Sequence, residues 1–257
     1  MTDTLKRFSN RVENYVKYRP GYPSEMFSFL IKQKVLKSDS VIADIGSGTG
    51  ISSKLFLDNG NVVYGVEPNK EMREAAERML GGNKNFKSIN GKAEATTLKN
   101  KSADIVIAAQ AFHWFDGELF KKEIVRLLKP NGYIVLIWND RLIDESEFLI
   151  EYENLLHNFS VDYAEVNHKN ITNKEIRNYI LSVIDNKSFN ESSFKNFQEF
   201  DYEGLKGRLL SSSYVPTEEH PKYNEMLIEL KRIFDTFSKD GMVRFEYSTN
   251  LYFGQLK

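Results

Sequence analysis

Val41-Ile-Ala-Asp-Ile-Gly-Ser-Gly-Thr-Gly50 is a short apolar run that ends in an acidic residue and three alternating glycines, and a helical pattern begins at Ile51. That order predicts a strand, a ligand-holding loop and a helix. Gly46, Gly48 and Gly50 can take positive φ, which lets a ligand approach the backbone where a Cβ would intrude. With Ser47 between the first two, such a loop suits a nucleoside-like ligand. The dinucleotide fingerprint G-x-G-x-x-G would need its third glycine where Ile51 stands, and no Gly-Lys-Ser/Thr follows to make a P-loop. A second acid, Glu67, closes the next apolar run, Val62–Val66, about twenty residues on, where a carboxylate can accept hydrogen bonds from ribose hydroxyls.

A chain of 257 residues is long enough for one α/β domain with an elaboration, and we read it as one domain plus a cap. Its 41% hydrophobic and 28% charged content is that of an ordinary globular protein, which argues against disorder. Lys+Arg 35 against Asp+Glu 36 leaves net charge −1, so no overall positive field is available to hold a phosphate backbone, and nucleic acid is a poor expectation as substrate. The absence of cysteine excludes disulfides, thiolate metal sites and a cysteine nucleophile. Met1-Thr-Asp-Thr-Leu-Lys-Arg lacks the apolar core of a signal peptide, and no run approaches the roughly twenty apolar residues of a membrane span. No membrane association is expected, and the expected location is cytoplasmic.

Outward from the glycine loop the pattern alternates. Before it, residues 1–23 carry Phe8, Val12, Tyr15 and Val16 at helical spacing and end in Tyr18-Arg-Pro-Gly-Tyr-Pro23, where the prolines stop a helix. A helix is expected over Ser24–Leu36 with Met26, Phe29, Leu30 and Ile31 inward. After the loop, Ile51 and Leu55 mark a helix ended by Asn59-Gly60. Pro68-Asn69 opens another with Met72, Ala75, Ala76 and Met79 inward, ended by Gly81-Gly82. Strands are predicted at Phe86–Ile89, at Asp104–Ala109, which is apolar enough for burial on both faces, and at Tyr133–Trp138 after a Pro130-Asn131-Gly132 turn. Between the last two, a helix from Asp116 through Leu128 presents Leu119, Phe120, Ile124 and Leu127. These repeated units predict a doubly wound, mostly parallel Rossmann-like sheet.

From Asn139 the alternation stops. Helical stripes over 144–158 and 173–184 predict a helical cap insertion spanning 139–193. Phe194–Tyr202 reads as a strand, Glu203–Ser213 as a helix, and Glu218–Phe237 as a long amphipathic scaffold helix. Val243–Phe253 alternates strictly, with Val243, Phe245, Tyr247, Thr249 and Leu251 on one face, and is expected as the antiparallel last strand of seven. The expected organisation is therefore a single domain over 1–257, with an N-terminal lid at 1–23, a cofactor-binding core at 24–138, the cap, and a C-terminal part of the sheet domain at 194–257.

The glycine loop with Asp44, together with Glu67 and the segments after strands three and four, resembles the class I S-adenosyl-L-methionine-dependent methyltransferases. His-Trp after strand four is similar to the small-molecule type 11 group, including trans-aconitate methyltransferase-like proteins. The resemblance implies that the glycine loop faces the methionine part of the cofactor, that Glu67, followed by Pro68, holds the ribose, and that Met72 supplies an apolar face. It implies that Ala93 and Glu94 of Gly91-Lys-Ala-Glu94 lie beside the adenine, with Gln110 and Ala111 at the end of strand four also on the cofactor. Asp44 either orders the loop or meets the cofactor ammonium through water. Tyr-x-x-x-Arg-Pro-x-Tyr-Pro makes Tyr15, Arg19 and Tyr22 lid candidates, Arg19 facing a cofactor or substrate carboxylate and Tyr22 the substrate. Phe112, His113 and Trp114 would wall the acceptor pocket with Tyr214 of Ser211-Ser-Ser-Tyr-Val-Pro216. His113 is a candidate base, its ordinary pKa lying near neutrality, and a packed ring in the pocket wall is an equal reading. The Asn/Asp/Ser-Pro-Pro-aromatic motif of amino-DNA methyltransferases is absent.

Methyl transfer by in-line displacement to a small-molecule acceptor, with S-adenosyl-L-homocysteine as product, is the activity so implied. The alternatives are a cofactor-binding sensor or partner protein without transferase activity and, less favoured because of Ile51, a nicotinamide oxidoreductase. His157, His168 and His220 stand in isolation, and no His/Asp/Glu spacing resembles a metal site. A monomer or homodimer is expected.

Overall fold

The computed structural model describes residues 11–166 and 172–256. Phe8 and His168 lie outside them. The sheet has seven strands in the order β3-β2-β1-β4-β5-β7-β6. β1 (Val41–Ile45), β2 (Val62–Val66), β3 (Phe86–Ile89), β4 (Ala103–Ala109) and β5 (Leu128–Arg141) pair in parallel. β7 (Val243–Gln255) pairs antiparallel with both β5 and β6 (Asn190–Phe200). The last strand in sequence is thus antiparallel, as expected, and lies one place in from the edge. Pro130-Asn131-Gly132 lies inside β5 rather than before it. The register against β4 jumps from Leu128 to Tyr133, and Asn131 takes φ 63° in the excursion.

Helices cover both faces. On one, α2 (Ser24–Lys32), α3 (Ile51–Asp58) and α4 (Lys70–Leu80) bury Met26, Leu30, Phe56, Leu57, Ala76 and Leu80 against Ile42, Val63, Ile105 and Val135. On the other lies α5 (Gly117–Leu127), which shares its core with α8 (Asn173–Val183) and with Val106, Ile134 and Trp138. Ile31, Met79 and Leu119 were expected inward and are exposed. Each sits in a terminal turn, where the neighbouring layer covers a helix from one side only.

The remaining helices are α1 (Val12–Tyr18), α6 (Glu147–Phe159), α7 (Tyr163–Val166), α9 (Tyr202–Leu210) and α10 (Tyr223–Phe237). α6, α9 and α10 form a third core with Phe200 of β6 and Val243, Phe245 and Tyr247 of β7, beyond the carboxyl end of β5. The expected cap at 139–193 is divided accordingly. Its first helix, α6, packs with α10, whereas its second, α8, buries Ile176, Ile180 and Val183 in the sheet core beside α5, and β6 already starts at Asn190. Amphipathic stripes report that a face is buried and carry no label for the surface that buries it.

α1 spans the two bodies. Val12 packs on Met72 and Ala75 of α4, while Arg11 donates to Leu210 O (3.0 Å) at the end of α9 and to Val215 O (2.6 Å) beyond it. Tyr18 lies against Gly207, where an added Cβ would come within 2.0 Å of the ring.

Candidate functional site

A cleft opens under α1 beyond the carboxyl ends of the parallel strands, where open α/β sheets receive their ligands. The glycine loop closes one side. Gly46 and Ser47 donate their backbone N–H groups to Val66 O (2.9 and 3.1 Å), which ties the loop to the end of β2. Gly46 (φ 68°) has Ala111 Cβ 2.6 Å from the place its own Cβ would occupy, and Gly50 (φ 85°) has Leu80 Cδ1 at 2.5 Å. Both are glycine because other parts of the chain approach them. Gly48 (φ 55°) has nothing nearer than Met72 Cε at 4.0 Å, so it is the glycine whose bare face meets the cleft. Gly46 and Ser47 also line the cleft, whereas Gly50 lies outside the lining, where its bare face receives Leu80 and Ala76 of α4.

Glu67 sits at the mouth of the loop, its side chain buried. Its Oε2 accepts from Gly48 N–H (2.9 Å) and its Oε1 from Asn69 N–H (2.8 Å). Burial raises its pKa, and the two N–H donors oppose the rise. Pro68 and Met72 follow along the same wall.

Asp44, the penultimate residue of β1, lies opposite Gly65 rather than at the level of Glu67 and behaves differently. It is fully buried, outside the cleft lining, and its Oδ2 accepts from Ser52 Oγ (2.7 Å) and Ser53 Oγ (2.6 Å). Of its two expected roles the geometry favours ordering of the loop, since the carboxylate clamps β1 to the first turn of α3. Burial pushes its carboxyl up to about 6, and Oδ1 has no partner.

Ala93, Glu94, Gln110 and Ala111 all face the cleft, Glu94 accepting from Asp116 N–H at 2.9 Å. Gln110 takes φ 57°, and its side-chain amide pairs with the backbone of Asn139, Oε1 accepting at 2.7 Å and Nε2 donating at 3.3 Å. That pairing prolongs the β4–β5 ladder beyond the last regular residue and releases Ala111–Phe115 across the floor of the cleft.

His113 and Trp114 line the floor, and Phe112 does not. The Phe112 ring packs 4.4 Å from that of Tyr179 in the core below, away from the expected acceptor pocket. In a single 3-10 turn, consecutive side chains leave in different directions, so only part of an aromatic run can face one pocket. The His113 ring lies 4.5 Å from Trp114 and 5.2 Å from Trp138, with Nδ1 buried and unpartnered. Burial lowers its pKa from 6.5 to about 4. Because the folded value lies below the unfolded one, the buried neutral ring contributes stability above the unfolded pKa, and that contribution is lost as pH falls through about 4. An NMR titration is expected to find the His113 imidazole neutral and flat over about pH 5.5–8. An inflection near neutrality would contradict this environment.

The roof and far wall come from α1 and from the third core. Tyr15, Arg19 and Tyr22 all line the cleft. Arg19 lies over the Tyr15 ring (4.9 Å) and donates through Nη2 to Ser211 O (3.1 Å), while its Nε has no partner. Tyr214 is present too, its ring 4.7 Å from that of Tyr163. Sequence reasoning missed Asn139, Arg141, Arg208 and Tyr247, which complete this wall. Arg141 and Asn139 end β5, a position the strand-end rule could have flagged. Arg208 lies between Gly207 and Leu209 in a helix of mixed polarity, and only the tertiary fold turns it toward the cleft.

Among the described residues no helix is long and apolar enough to cross a membrane, and no group of three or more His, Cys, Asp or Glu side chains is placed to hold a metal.

Residues 43–136 match the family model of the methyltransferase domain. An uncharacterized methyltransferase-like protein of Schizosaccharomyces pombe is 33% identical over 138 residues, 53% of each chain. An uncharacterized methyltransferase of Mycobacterium bovis is 32% identical over 139 residues, 54% of each chain. The chain thus spans about half the length of these curated relatives. Among solved structures, one from Anaeromyxobacter dehalogenans, provisionally described as a type II methyltransferase, superposes with TM-score 0.65 at 20% identity, covering 93% of this chain and 98% of that one. The YcgJ protein of Bacillus subtilis superposes with TM-score 0.58 at 20% identity, covering 91% and 99%. At that identity the structures speak to the fold.

Proposed function

We propose that the protein, whose residues 43–136 match the family model of the methyltransferase domain, transfers a methyl group from S-adenosyl-L-methionine to a small-molecule acceptor enclosed between the sheet and α1. The observation that carries this reading is the pairing of Glu67 with Gly48 inside a cleft roofed by α1. Each Glu67 oxygen accepts one backbone N–H and retains a lone pair for a ribose hydroxyl. Gly48 leaves the space beside that carboxylate free of a side chain. Met72 and Phe115 supply apolar walls, Ala93 and Glu94 complete this half of the lining, and Arg19 Nε offers a partnerless donor suited to a carboxylate. The residues therefore fit the cofactor.

When bound, the cofactor supplies an activated sulfonium methyl. The work left to this chain is to orient the acceptor and to exclude water. Effective molarities for well-oriented reactants correspond to roughly 7–11 kcal/mol of barrier, so positioning can carry most of such a reaction. α1, tied at both ends, roofs the cleft, and Trp114, Tyr22 and Tyr214 give it an aromatic lining. His113, held neutral and weakly basic, acts as a hydrogen-bond acceptor that orients the acceptor group rather than as a base.

Calorimetric titration with S-adenosyl-L-methionine, S-adenosyl-L-homocysteine and NAD tests the reading. Micromolar binding of the two sulfur nucleosides and silence toward NAD is the expected result. Failure of the folded protein to bind either sulfur nucleoside would overturn it, and tight binding with no turnover of any acceptor would favour a sensor.

A further inference from the structure

The far wall of the cleft concentrates positive charge that the net composition hides. Arg141 and Arg208 are buried to 3% and 5% exposure and both line the cleft, with Arg19 above them. The carboxylate available to them is Glu153, which is hydrogen-bonded to Arg141 Nη2 and to the Tyr163 hydroxyl (2.8 Å). Among the described residues no acid lies within ion-pair distance of Arg208 or Arg19. Arg208 also stands near enough to Arg19 to oppose its charge.

Nor are these guanidinium groups satisfied by neutral partners. Arg208 makes two long hydrogen bonds, Nε to the Tyr247 hydroxyl (3.4 Å) and Nη1 to Ser212 Oγ (3.3 Å), and rests over the Phe245 ring at 5.8 Å. A guanidinium has five N–H donors. Arg141 Nη1, Arg19 Nε and the Tyr152 hydroxyl, over whose ring Arg141 lies at 5.2 Å, are all buried without partners. Burying a charge without a counter-charge is expensive, and fork-shaped donors match planar or tetrahedral oxyanions.

The position of the cluster assigns it to the acceptor. Asn139 and Arg141 end β5, and Arg141 stands opposite Tyr247 of β7, whereas Glu67 ends β2. β2 and β5 are three strand spacings apart, about 14 Å at ~4.8 Å each. The ribose-binding carboxylate and the arginine pair therefore serve different ends of one ligand-binding cleft.

We propose that the acceptor carries an oxyanion, a carboxylate or a phosphate group, seated on Arg208 and Arg141. The proposal rests on the methyltransferase reading and specifies the substrate class of the same site. The anion supplies the counter-charge that the wall lacks and fixes the acceptor at one end, leaving its nucleophilic atom to be positioned near Trp114 and His113.

Both tryptophans of the chain stand at this site, Trp114 in the lining and Trp138 beside His113, so intrinsic fluorescence reads its occupancy. The test titrates the protein, free and saturated with S-adenosyl-L-homocysteine, with succinate, inorganic phosphate and the neutral diamide succinamide at constant ionic strength. Saturable binding of succinate or phosphate at least about tenfold tighter than succinamide is expected, and the tighter of the two identifies the oxyanion. Arg208→Gln should weaken that binding at least about tenfold and leave S-adenosyl-L-homocysteine affinity, followed by calorimetry, within about threefold. If this variant does not fold, Arg208→Lys, which keeps the charge and removes the fork, should weaken it by several-fold. Anion binding no tighter than that of the diamide, or unaltered in a folded Arg208 variant, would overturn the proposal while leaving cofactor binding intact. Loss of the cofactor reading would show separately, as wild-type protein that does not bind S-adenosyl-L-homocysteine.

Discussion

Glu67→Ala is expected to weaken S-adenosyl-L-homocysteine binding by about one to two orders of magnitude, the worth of ~1.5–3 kcal/mol for a charged hydrogen-bonding group. The loss has two sources. Alanine removes the lone pairs proposed to meet the ribose, and it orphans the N–H groups of Gly48 and Asn69 that the carboxylate now receives at 2.9 and 2.8 Å. Glu67→Gln separates them. Its amide retains one acceptor oxygen and brings an NH2 against a backbone donor, so it should fall between wild type and alanine. Calorimetry on folded variants decides the matter, and an alanine variant with wild-type affinity would contradict the ribose assignment.

The second large effect concerns stability. Gly46→Ala is expected to destabilise the fold by about 2–5 kcal/mol, combining ~1–2 kcal/mol for a left-handed backbone with ~1–3 kcal/mol for overpacking against Ala111 and Phe115. That is a large share of the ~5–15 kcal/mol by which domains are stable. Gly48→Ala is the control. Its φ of 55° carries the backbone cost alone, since its Cβ would meet open cleft, so it should cost about 1–2 kcal/mol while impairing ligand binding more. Urea unfolding beside calorimetry reads both quantities. Equal destabilisation by the two substitutions would refute the division of roles within the loop.

This contrast marks how far the site was legible in the sequence. G-x-G-x-G announced the loop, and alternating apolar runs announced β1 to β5, because local spacing and backbone chemistry decide both. What each glycine faces depends on Ala111 and Leu80, distant in the chain, and spacing is silent about that. Asp44 and Glu67 look alike as acids that end strands. They separate because Ser52 and Ser53, in the first turn of α3, reach the shorter side chain, whereas the longer one reaches Gly48 and the cleft. Tyr15, Arg19, Tyr22 and Tyr214, far apart in the chain, line one cleft. Phe112 does not, since an aromatic run does not tell which rings face outward. Arg208 was invisible for a further reason. Its burial is created by Tyr247 and Phe245, residues some forty positions downstream, and nothing in a helix of mixed polarity marks one arginine as interior.

The two ends of the cleft rest on separately packed cores, one built on the sheet and one on α6, α9 and α10, with α1 laid across both. Substitutions in separate cores that share no partners combine nearly additively. For anyone wishing to redirect such a protein to new chemistry, residues 202–216 form a cassette that can be diversified while the loop at 44–50 and Glu67 are left untouched. Inheritance can work the same way, with the acceptor wall drifting under selection while the cofactor half stays fixed.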